Sequence, residues 1–486
     1  ASEVYRQFLR QDFHLRGYIT FVAHRERERR EREREQTGFA SRRYRMNRRD
    51  FQKSLALGAG ALLLSRDVLA SGHAPILNIN GERINRHLRE LSEFGKNPQG
   101  GVSRVAYTEF DKQGREYVMQ RMRAAQLDVS MDAAGNIIGR RAGTVAGLKP
   151  LMFGSHIDSV PEGGNYDGTV GSLGAIEVAQ TMAEQKLSTR HPLEVIVFQN
   201  EEAGKHGSRM ISGEFQPKDF ELTNASGKNI RAGLRFLGGN PDRLAEARRK
   251  PGDIAGYLEL HIEQGGTLER DSLHIGEVEG IVGINWWNVE VTGTANHAGT
   301  TPMDQRQDAL VGAARFVDMV HTTARTMAGR QVATVGRMQA FPGARNVIPA
   351  RVSTSLEIRD LDAQKMDRLF QMIQAEAQKI GQATGTRIAF EQAYASSPSM
   401  MDARIRGLIR DSARELGLSS RPMPSGAGHD AQSISTLAPA GMIFLPSVKG
   451  ISHAPQEFSH PHDIINGVNV LLHALLKLDQ AAWLSA

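Results

Sequence analysis

Cysteine is missing from all 486 residues of the sequence. Disulfide bonds, thiolate metal sites and cysteine nucleophiles are therefore excluded, and a bound metal ion would need nitrogen and oxygen ligands. The sequence also has no run of about 18 consecutive apolar residues, the length that crosses a bilayer as a helix. We therefore expect no stable insertion into a membrane.

Excess positive charge is confined to the N-terminal segment, although the whole chain carries a net charge of +6. Residues 1–53 contain fifteen lysines and arginines against eight acidic residues, so the rest of the chain is close to neutral. A nucleic-acid-binding function has no support in this neutral body, and we expect no nucleic acid partner.

Residues 1–75 are predicted to form a charged arm followed by an export signal. The run HRERERRERERE at 24–35 alternates in charge and is typical of a solvated helix or a disordered arm. The pair Arg48 and Arg49, followed by a short apolar stretch at 55–64, resembles a twin-arginine export signal. A basic amphipathic helix packed on the next domain is the alternative for this stretch.

A functional export signal would change where the mature protein begins and where it resides. Translation would start at Met46, residues 1–45 would be upstream sequence, and the mature enzyme would begin between residues 71 and 74. The protein would then be periplasmic or secreted. Without a functional signal, we expect it in the cytoplasm.

The sequence alternates strand and helix patterns over residues 76–282 and 397–486. Four short apolar runs end in polar residues, and a helical pattern, GSLGAIEVAQTMAEQ, follows the first of them. Such alternation is typical of an α/β domain with a mostly parallel central sheet. The four runs are LMFGSHID, LEVIVFQN, GYLELHIE and GMIFLPS.

Residues 283–396 have a different pattern. The stretch INWWNVEVTGTANHAG alternates apolar and polar residues, which is typical of half-exposed antiparallel strands. Helical patterns at 304–327 and 361–384 accompany these strands. We predict a smaller α+β domain inserted into the first, so that the main domain is discontinuous.

Candidate metal ligands follow each of the four apolar runs. In an open α/β sheet the carboxyl ends of the strands form the ligand-binding edge, so polar side chains placed there can converge. A single histidine at a strand end is ordinarily structural, and adjacent glutamates are ordinarily solvated. Four such ends together favour a metal site, since buried charges are tolerated around a cation. The candidates are His156 with Asp158, Glu201 with Glu202, His261 with Gln264, His453, and Asp167 in the glycine-rich turn GGNYDG.

Seven longer motifs lie along residues 78–486. In chain order they are GSHIDSVPEGGNYDGTVG, NEEAGKHGSR, LELHIEQG, ANHAGTTPM, GARNVIP, SGAGHDA and GISHAPQE. Together they resemble the hydantoinase/carbamoylase family of binuclear metal amidohydrolases, a branch of the zinc aminoacylase and carboxypeptidase superfamily. The resemblance covers both predicted domains. It implies a catalytic domain that holds two metal ions and an inserted α+β domain that serves as a lid and dimerisation domain.

The resemblance also implies which residues hold the two divalent ions. With nitrogen and oxygen donors only, Zn²⁺ is favoured, and Mn²⁺, Co²⁺ and Ni²⁺ are allowed. One ion would be held by His156, Asp167 and His261, and the other by Asp167, Glu202 and His453.

Two acidic residues beside these ligands have predicted supporting roles. Asp158 lies two residues beyond His156, so we predict that it faces the same side of the strand and accepts the second ring N–H of that histidine. For Glu201 the resemblance implies the role of general base, which takes a proton from the attacking water and delivers it to the leaving nitrogen.

Further residues would bind and polarise a small substrate that carries a carboxylate and a ureido or amide group. The resemblance implies that His297 of the inserted domain stabilises the oxyanion, reaching the site of the opposite subunit in a homodimer. Arg345 with Asn346 would bind the substrate carboxylate through paired hydrogen bonds. The pocket for the ureido group would be formed by Gln264, Gly428 and His429.

The expected reaction is hydrolysis of the terminal ureido C–N bond of an N-carbamoyl-L-amino acid, giving the amino acid, carbon dioxide and ammonia. The motif HIEQG is typical of relatives that act on ureido groups, whereas peptidase relatives usually have a carboxylate in place of His261. β-Ureidopropionate and allantoate are alternative substrates with the same chemistry.

Two other classes of protein remain open. An exported N-acyl amino acid hydrolase or metallopeptidase on the same fold agrees with the export signal. It also agrees with an altered loop after the glutamate pair, where AGKH intervenes before GSR and Met210 replaces an aromatic residue. A non-catalytic binding protein would keep the fold, but the complete ligand set and the intact Glu201 argue against it.

Overall fold

The computed structural model describes residues 77–484. The charged arm and the export-signal pattern lie outside the described residues, so the expectations for them stay predictions.

The helices are α1 (Gly81–Ser92), α2 (Glu109–Ala124), α3 (Thr169–Glu184), α4 (His206–Ser212), α5 (Ile230–Leu237), α6 (Thr267–Arg270), α7 (Ala309–Thr326), α8 (Ala363–Thr384), α9 (Ala403–Glu415), α10 (Asp430–Ile434) and α11 (Pro461–Asp479). The strands are β1 (Asp128–Met131), β2 (Ile137–Arg141), β3 (Leu151–His156), β4 (Leu193–Phe198), β5 (Gly256–Ile262), β6 (Ile275–Ile281), β7 (Gly283–Thr292), β8 (Asn296–His297), β9 (Val332–Thr334), β10 (Met338–Phe341), β11 (Val347–Ile348), β12 (Arg351–Asp360), β13 (Arg387–Ser396), β14 (Ser399–Met400), β15 (Ser420–Ser425) and β16 (Ala440–Leu445).

Several helices begin at side chains that cap their first turn. Thr108 accepts a hydrogen bond from the backbone N–H of Asp111 at the start of α2, and Asp308 and Asp362 cap α7 and α8 in the same way. These caps satisfy backbone donors that have no partner inside the helix. Within residues 77–484, none of the helices combines the length and the apolar character needed to span a membrane.

Nine strands form a mixed sheet whose centre is parallel. The strand order is β1-β2-β4-β3-β5-β16-β6-β14, and β15 pairs with β6. β3 is parallel to both β4 and β5, and β5 is parallel to β16, whereas β1, β2, β14 and the β16–β6 pair are antiparallel. The predicted α/β class with a mostly parallel central sheet is confirmed.

The central strands of this sheet are buried on both faces. Met152 and Phe153 are neighbours in β3 and point into two different apolar cores, because side chains alternate along a strand. Helices α1, α2, α3, α9 and α11 cover one core, and α4, α5 and α10 contribute to the other. A sheet covered on both faces presents its strand ends, rather than its faces, to a ligand.

Residues 283–396 build a second, five-stranded antiparallel sheet. Its order is β10-β12-β7-β13, with β9 paired to β12. β12 alternates buried and partly exposed residues along its whole length, and α7 and α8 cover the buried face, where Trp287, Phe316 and Leu369 share one core. Helix α7 begins five residues later than the pattern at 304–327 predicted, because Asp308 caps it.

The chain leaves the larger sheet between β6 and β7 and returns to it between β13 and β14. The division into a main domain of residues 76–282 and 397–486 and an inserted domain of residues 283–396 stays a prediction. The same holds for the lid and dimerisation roles of the inserted segment.

Candidate metal centre

The carboxyl ends of neighbouring central strands bring the predicted ligands together. β3 ends at His156 and is hydrogen bonded to both β4 and β5. His261 lies one residue before the end of β5, and Glu201 follows three residues after the last residue of β4. Because the three strands are parallel, these side chains lie at one edge of the sheet. His453 reaches the same edge from the loop after β16, with a backbone φ of +54°.

Asp167 is the residue on which the ligands converge. Its Oδ1 lies 3.4 Å from His156 Nε2 and 3.2 Å from His261 Nε2, while its Oδ2 lies 3.4 Å from His453 Nε2. Glu202 Oε2 lies 3.4 Å from the same His453 nitrogen. The five side chains thus form two groups of three that share Asp167, and the ligand atoms within each group lie within 4.8 Å of one another.

Glycines shape the loop that carries Asp167. Gly168 has a φ of +62°, and a Cβ there would stand 2.3 Å from His156 Nε2. A Cβ at Gly164 would stand 2.1 Å from the carboxylate of Glu457. A side chain at either position would therefore displace a ligand or the residue that supports the loop.

Glu457 holds this loop from outside the two ligand groups. Its Oε1 accepts hydrogen bonds from the backbone N–H groups of Tyr166 and Asp167, at 2.8 and 3.0 Å. Its Oε2 accepts from the Ser452 hydroxyl at 2.8 Å, and that hydroxyl also lies 3.1 Å from Asp167 Oδ2. The shared carboxylate is thereby fixed in position through both its backbone and its side chain.

The hydrogen bonds of two histidines fit a bound cation. Nδ1 of His156 lies 3.0 Å from the carbonyl oxygen of Asp158, and Nδ1 of His261 lies 2.9 Å from that of Ile262. A carbonyl oxygen only accepts, so Nδ1 carries a proton and Nε2 is the nitrogen that faces Asp167. A hydrogen bond from the second ring nitrogen to a backbone carbonyl is the usual arrangement of metal-bound histidines.

The charges at the cluster also favour a cation. Burial raises the pKa of Glu202 well above its usual range, and the charge of Asp167 adds to this effect. Glu202 Oε1 is buried without a hydrogen-bond partner among the described residues. At Asp167 burial alone would raise the pKa, but the surrounding imidazoles hold it well below its usual range. Added positive charge would stabilise these buried acceptors, and nitrogen and oxygen donors suit divalent ions.

Glu201 lies beside the cluster but belongs to neither ligand group. Its Oε2 is 3.8 Å from His156 Nε2, and its side chain is 9% exposed. Burial raises the pKa of Glu201 to about 7, although the neighbouring His156 opposes the effect. A carboxylate in this place can accept a proton from a water molecule at the cluster.

Asp158 does not make the predicted contact with His156. Its Oδ1 is 3.8 Å from His156 Nδ1, and its backbone carbonyl accepts from the ring instead. The carboxylate accepts hydrogen bonds from the backbone N–H groups of Glu201 and Glu202, each at 3.2 Å. The prediction extended strand alternation beyond β3, which ends at His156, so the side chain is free to turn toward the glutamate pair.

Gln264 lies at the cluster in a contact that the sequence did not indicate. Its Nε2 donates to Asp167 Oδ2 at 2.5 Å and lies 3.4 Å from His453 Nε2. Its Oε1 is buried without a hydrogen-bond partner among the described residues. The predicted role in substrate binding stays a prediction, and the folded chain adds a contact to the shared carboxylate.

His429 packs against a metal ligand. Its ring centroid is 4.3 Å from that of His261, and its Nε2 lies 2.9 Å from the Ser425 hydroxyl. Burial and the neighbouring His261 hold the pKa of His429 well below its usual range, which favours the neutral ring. Gly428 precedes it and lies against Lys205. The predicted contribution of both residues to the substrate pocket stays a prediction.

His297 and the predicted carboxylate-binding pair, Arg345 and Asn346, lie close together within residues 283–396. β8 carries His297 and pairs with β11, and the carbonyl of Asn346 accepts from the N–H of Ala298 at 2.9 Å. His297, Arg345 and Asn346 are exposed. In the part of the chain that the structure describes, none of them contacts the ligand cluster, and the Arg345 guanidinium makes no hydrogen bond or ion pair. Their predicted roles stay predictions.

Three buried carboxylates around the cluster were not predicted from the sequence. Glu259 lies two residues before His261 and accepts hydrogen bonds from the hydroxyls of Ser155 and Tyr257, at 2.8 and 3.1 Å. Strand alternation in LELHIE could have indicated it, since residues two apart share a face. The other two lie within the motifs SGAGHDA and GISHAPQE. The three residues are Glu259, Asp430 and Glu457.

Comparison with known proteins agrees with this geometry. The sequence pattern of peptidase family M20/M25/M40 matches residues 152–477. Over 407 residues the chain is 39% identical to an N-carbamoyl-L-amino acid amidohydrolase of Geobacillus stearothermophilus, covering 83% of this chain and 99% of that relative. It is 36% identical over 409 residues to an N-carbamoyl-L-amino-acid amidohydrolase of Pseudomonas sp. (strain NS671), covering 82% and 99%.

A solved structure shows the same fold over nearly the same range. The crystal structure of an amidase of the hydantoinase/carbamoylase family from Burkholderia multivorans matches with a TM-score of 0.78 and 36% identity, covering 84% of this chain and 100% of that one. The fold and the site thus define an amidohydrolase, a hydrolase of amide-type C–N bonds. The chain belongs to peptidase family M20/M25/M40 and, within it, to the hydantoinase/carbamoylase family, which confirms the predicted family and enzyme class.

Proposed function

We propose that this enzyme hydrolyses the terminal ureido C–N bond of N-carbamoyl-L-amino acids. The observation that carries the proposal is the pair of ligand groups that share Asp167, with Glu201 beside them but outside both. The similarity to two N-carbamoyl-L-amino acid amidohydrolases supports a ureido group as the group attacked.

The proposed cofactor is a pair of divalent ions, with Zn²⁺ favoured and Mn²⁺, Co²⁺ or Ni²⁺ allowed by the donor set. Divalent ions at such a site lower the pKa of water and polarise a carbonyl group. The residues that would hold them are His156, Asp167, Glu202, His261 and His453.

Glu201 would move the proton in this reaction. As the water oxygen attacks the ureido carbon, Glu201 takes the proton from the water and then delivers it to the terminal nitrogen. The C–N bond to that nitrogen breaks and ammonia leaves, and the remaining carbamate loses carbon dioxide to give the free amino acid. The proton that Glu201 accepts is the one that it returns, so the residue ends each cycle unchanged.

The substrate would be oriented by residues of the second sheet. We propose that Arg345, with Asn346, binds the substrate carboxylate and that His297 donates to the developing oxyanion from the partner subunit of a homodimer. Their exposure supports this proposal, because an arginine without an ion pair in the described chain is available to a carboxylate from outside it.

Substrate turnover by the metal-reconstituted enzyme tests the proposal. We expect ammonia release from N-carbamoyl-L-methionine, with β-ureidopropionate and allantoate as slower ureido substrates. N-acetyl-L-methionine and a methionine dipeptide serve as controls that keep the side chain and replace the ureido group. Faster amine release from either control than ammonia release from every ureido compound would replace the proposal with an N-acyl amino acid hydrolase or a peptidase.

We also propose that the twin-arginine-like segment exports the folded enzyme to the periplasm or the cell exterior. The support is the sequence Arg48–Arg49 followed by a short apolar stretch, which lies outside the described residues. Residues 46–74 fused to a reporter should direct it out of the cytoplasm, and replacing both arginines with lysine should abolish export. Retention of the unaltered fusion in the cytoplasm would contradict the proposal.

A further inference from the structure

A cavity of about 740 Å³ begins at the segment directly after Glu202. Its wall includes residues 203–206 and residues of helix α10, which directly follows His429, and it extends to residues 394–399 at the end of β13. Segments that adjoin Glu202 and His429 in the sequence, and the last residues of β13, therefore border this space. A cavity of this size accommodates the side chain of a small substrate.

Lys205 lies in the wall of this cavity, and its ammonium group reaches Gly428 and helix α10. Nζ lies 3.1 Å from the point where a Cβ of residue 428 would stand, and it donates a hydrogen bond to the amide oxygen of Gln432. The backbone N–H of Lys205 donates to the backbone carbonyl of Glu201. Lys205 therefore lies in the loop directly after the proposed general base.

The ammonium of Lys205 has no carboxylate in direct contact among the described residues. Gln432 is an uncharged amide, and Lys205 forms no ion pair in residues 77–484. Arg209, another basic residue of the cavity wall, is paired with Asp219 at 2.8 Å. The acidic residues of the wall, Glu214 and Asp219, form no ion pair with Lys205. A half-buried cation without a carboxylate partner is matched by a ligand that brings one.

The loop backbone fixes Lys205 in this place. Gly204 has a φ of +130° and Lys205 a φ of +56°, and the backbone N–H groups of both donate to the carbonyl of Glu201, at 2.9 and 2.6 Å. Helix α4 starts at His206, and its Ser208 hydroxyl donates to buried Asp430 at 2.5 Å. The position of the ammonium is therefore tied to the two segments that carry Glu201 and His429.

We propose that Lys205 is a specificity-determining residue that binds an acidic side chain of the substrate. The preferred substrates would then carry a second carboxylate, as N-carbamoyl-L-glutamate and N-carbamoyl-L-aspartate do. This inference rests on the proposed function, in which Arg345 and Asn346 take the carboxylate that every N-carbamoyl amino acid has. A second cation in the wall of the cavity, separate from Arg345, calls for a second anionic group.

The test compares N-carbamoyl-L-glutamate with N-carbamoyl-L-glutamine, which have the same shape and differ in side-chain charge. We expect the metal-reconstituted enzyme to prefer the glutamate compound in kcat/KM, and Lys205→Met to lower that preference by about 10- to 100-fold, as expected for the loss of a charged hydrogen bond. Lys205→Arg should keep the preference. Lys186→Met removes the same charge from an exposed lysine at the end of α3 and should leave the preference unchanged.

Two results would overturn the inference. An equal fall in kcat/KM for both compounds in Lys205→Met would show that the ammonium supports the loop or a group common to both. An unaltered enzyme with no preference for the glutamate compound would show that Lys205 meets no acidic side chain.

A binding measurement separates this inference from the proposed function. Calorimetric titration of the same metal-reconstituted proteins with L-glutamate and L-glutamine needs no turnover. Tighter binding of glutamate that is lost in Lys205→Met supports the inference even if no ureido compound is hydrolysed. Equal binding of the two amino acids contradicts it even if N-carbamoyl-L-methionine is a good substrate.

Discussion

Asp167 sets the geometry of the site at the scale of single residues. One of its oxygens faces two histidines, and the other faces His453, Gln264 and Ser452. A carboxylate with this many neighbours can keep its place only if its backbone is also held, which Glu457 does through two backbone N–H groups. The residues that support Asp167 therefore matter as much to the site as the ligands.

Glu201 and Glu202 are adjacent in sequence, but we expect their substitution to affect different properties of the enzyme. Glu201→Gln should lower kcat by at least about 100-fold, because an amide cannot accept the proton, while the metal content stays the same. Glu202→Gln is the matched control and should lose metal. Activity assays together with metal analysis on both variants check this. Loss of metal from Glu201→Gln would contradict the assigned roles.

The sequence indicated site residues where they lie at or near the ends of strands. Strand ends indicated most of the candidate residues, because strands of a parallel sheet deliver their final residues to one edge, and the family resemblance implied which five of the candidates are ligands. The partner of Asp158 was not indicated, because its side chain lies past the strand, where alternation no longer applies. Lys205 and Glu457 were missed because their roles depend on contacts with segments distant in the sequence.

At the scale of elements, the turn from β3 into α3 determines whether the ligands fit together. Gly168 closes this turn with a positive φ, and its missing side chain leaves room for the ring of His156. Strand and helix positions were predictable from periodicity, whereas the start of α7 was not, because the Asp308 cap overrides the apolar pattern. Loop geometry at the metal centre depends on packing that periodicity does not encode.

Gly168→Ala should lose metal affinity, because a Cβ at this position would overlap His156. Gly147→Ala is the matched control, since Gly147 also has a positive φ, of +81°, but a Cβ there would meet nothing within 4 Å. The control should cost about 1–2 kcal/mol in the free energy of unfolding from the backbone alone and keep its metal. Metal titration against a chelator checks both variants. Equal metal affinity in the two variants would contradict the packing argument.

The packing of α1 on α2 makes stability depend on pH. His87 is buried in α1 with its ring edge-on to Tyr117, and burial, aided by Arg121, lowers its pKa to about 4. Below pH 6.5 the unfolded chain gains a proton that the folded chain does not, so stability is lost as the pH falls toward 4. At pH 5 this loss is about 2 kcal/mol.

His87→Phe keeps a ring in this place and removes the titrating group. Denaturant unfolding at pH 7 and pH 5 should therefore show a smaller loss of stability in the variant than in the unaltered protein. Other acid-sensitive groups, including the metal ligands, are common to both proteins and cancel in the comparison. An equal loss in the two proteins would contradict the burial argument.

At the scale of the whole molecule, the predicted catalytic and substrate-binding residues are distributed over the two sheets. The metal ligands and Glu201 lie on the larger sheet, and His297 and Arg345 lie on exposed positions of residues 283–396. The sequence predicted both α/β architecture and family, because the motifs follow the family order. The sequence could not show where His297 and Arg345 lie relative to the metal ligands. That arrangement depends on contacts between distant segments and, in the proposed function, on a second subunit.

Mixed dimers test the action of His297 from the partner subunit. His297→Ala and Glu201→Gln should each be nearly inactive alone. When the two are mixed and allowed to exchange subunits, one site of each mixed dimer combines an intact Glu201 with an intact His297, and activity should return. Mixtures that stay inactive although subunits have exchanged would contradict action across the dimer.

The central claim is that the strand ends hold two divalent ions that share Asp167. The measurement that tests it most directly is the metal content per chain after reconstitution and removal of excess metal. We expect two equivalents in the unaltered enzyme, about one in His453→Ala, which keeps the group of His156, Asp167 and His261, and none in Asp167→Ala. A single equivalent in the unaltered enzyme, or two in Asp167→Ala, would contradict the claim.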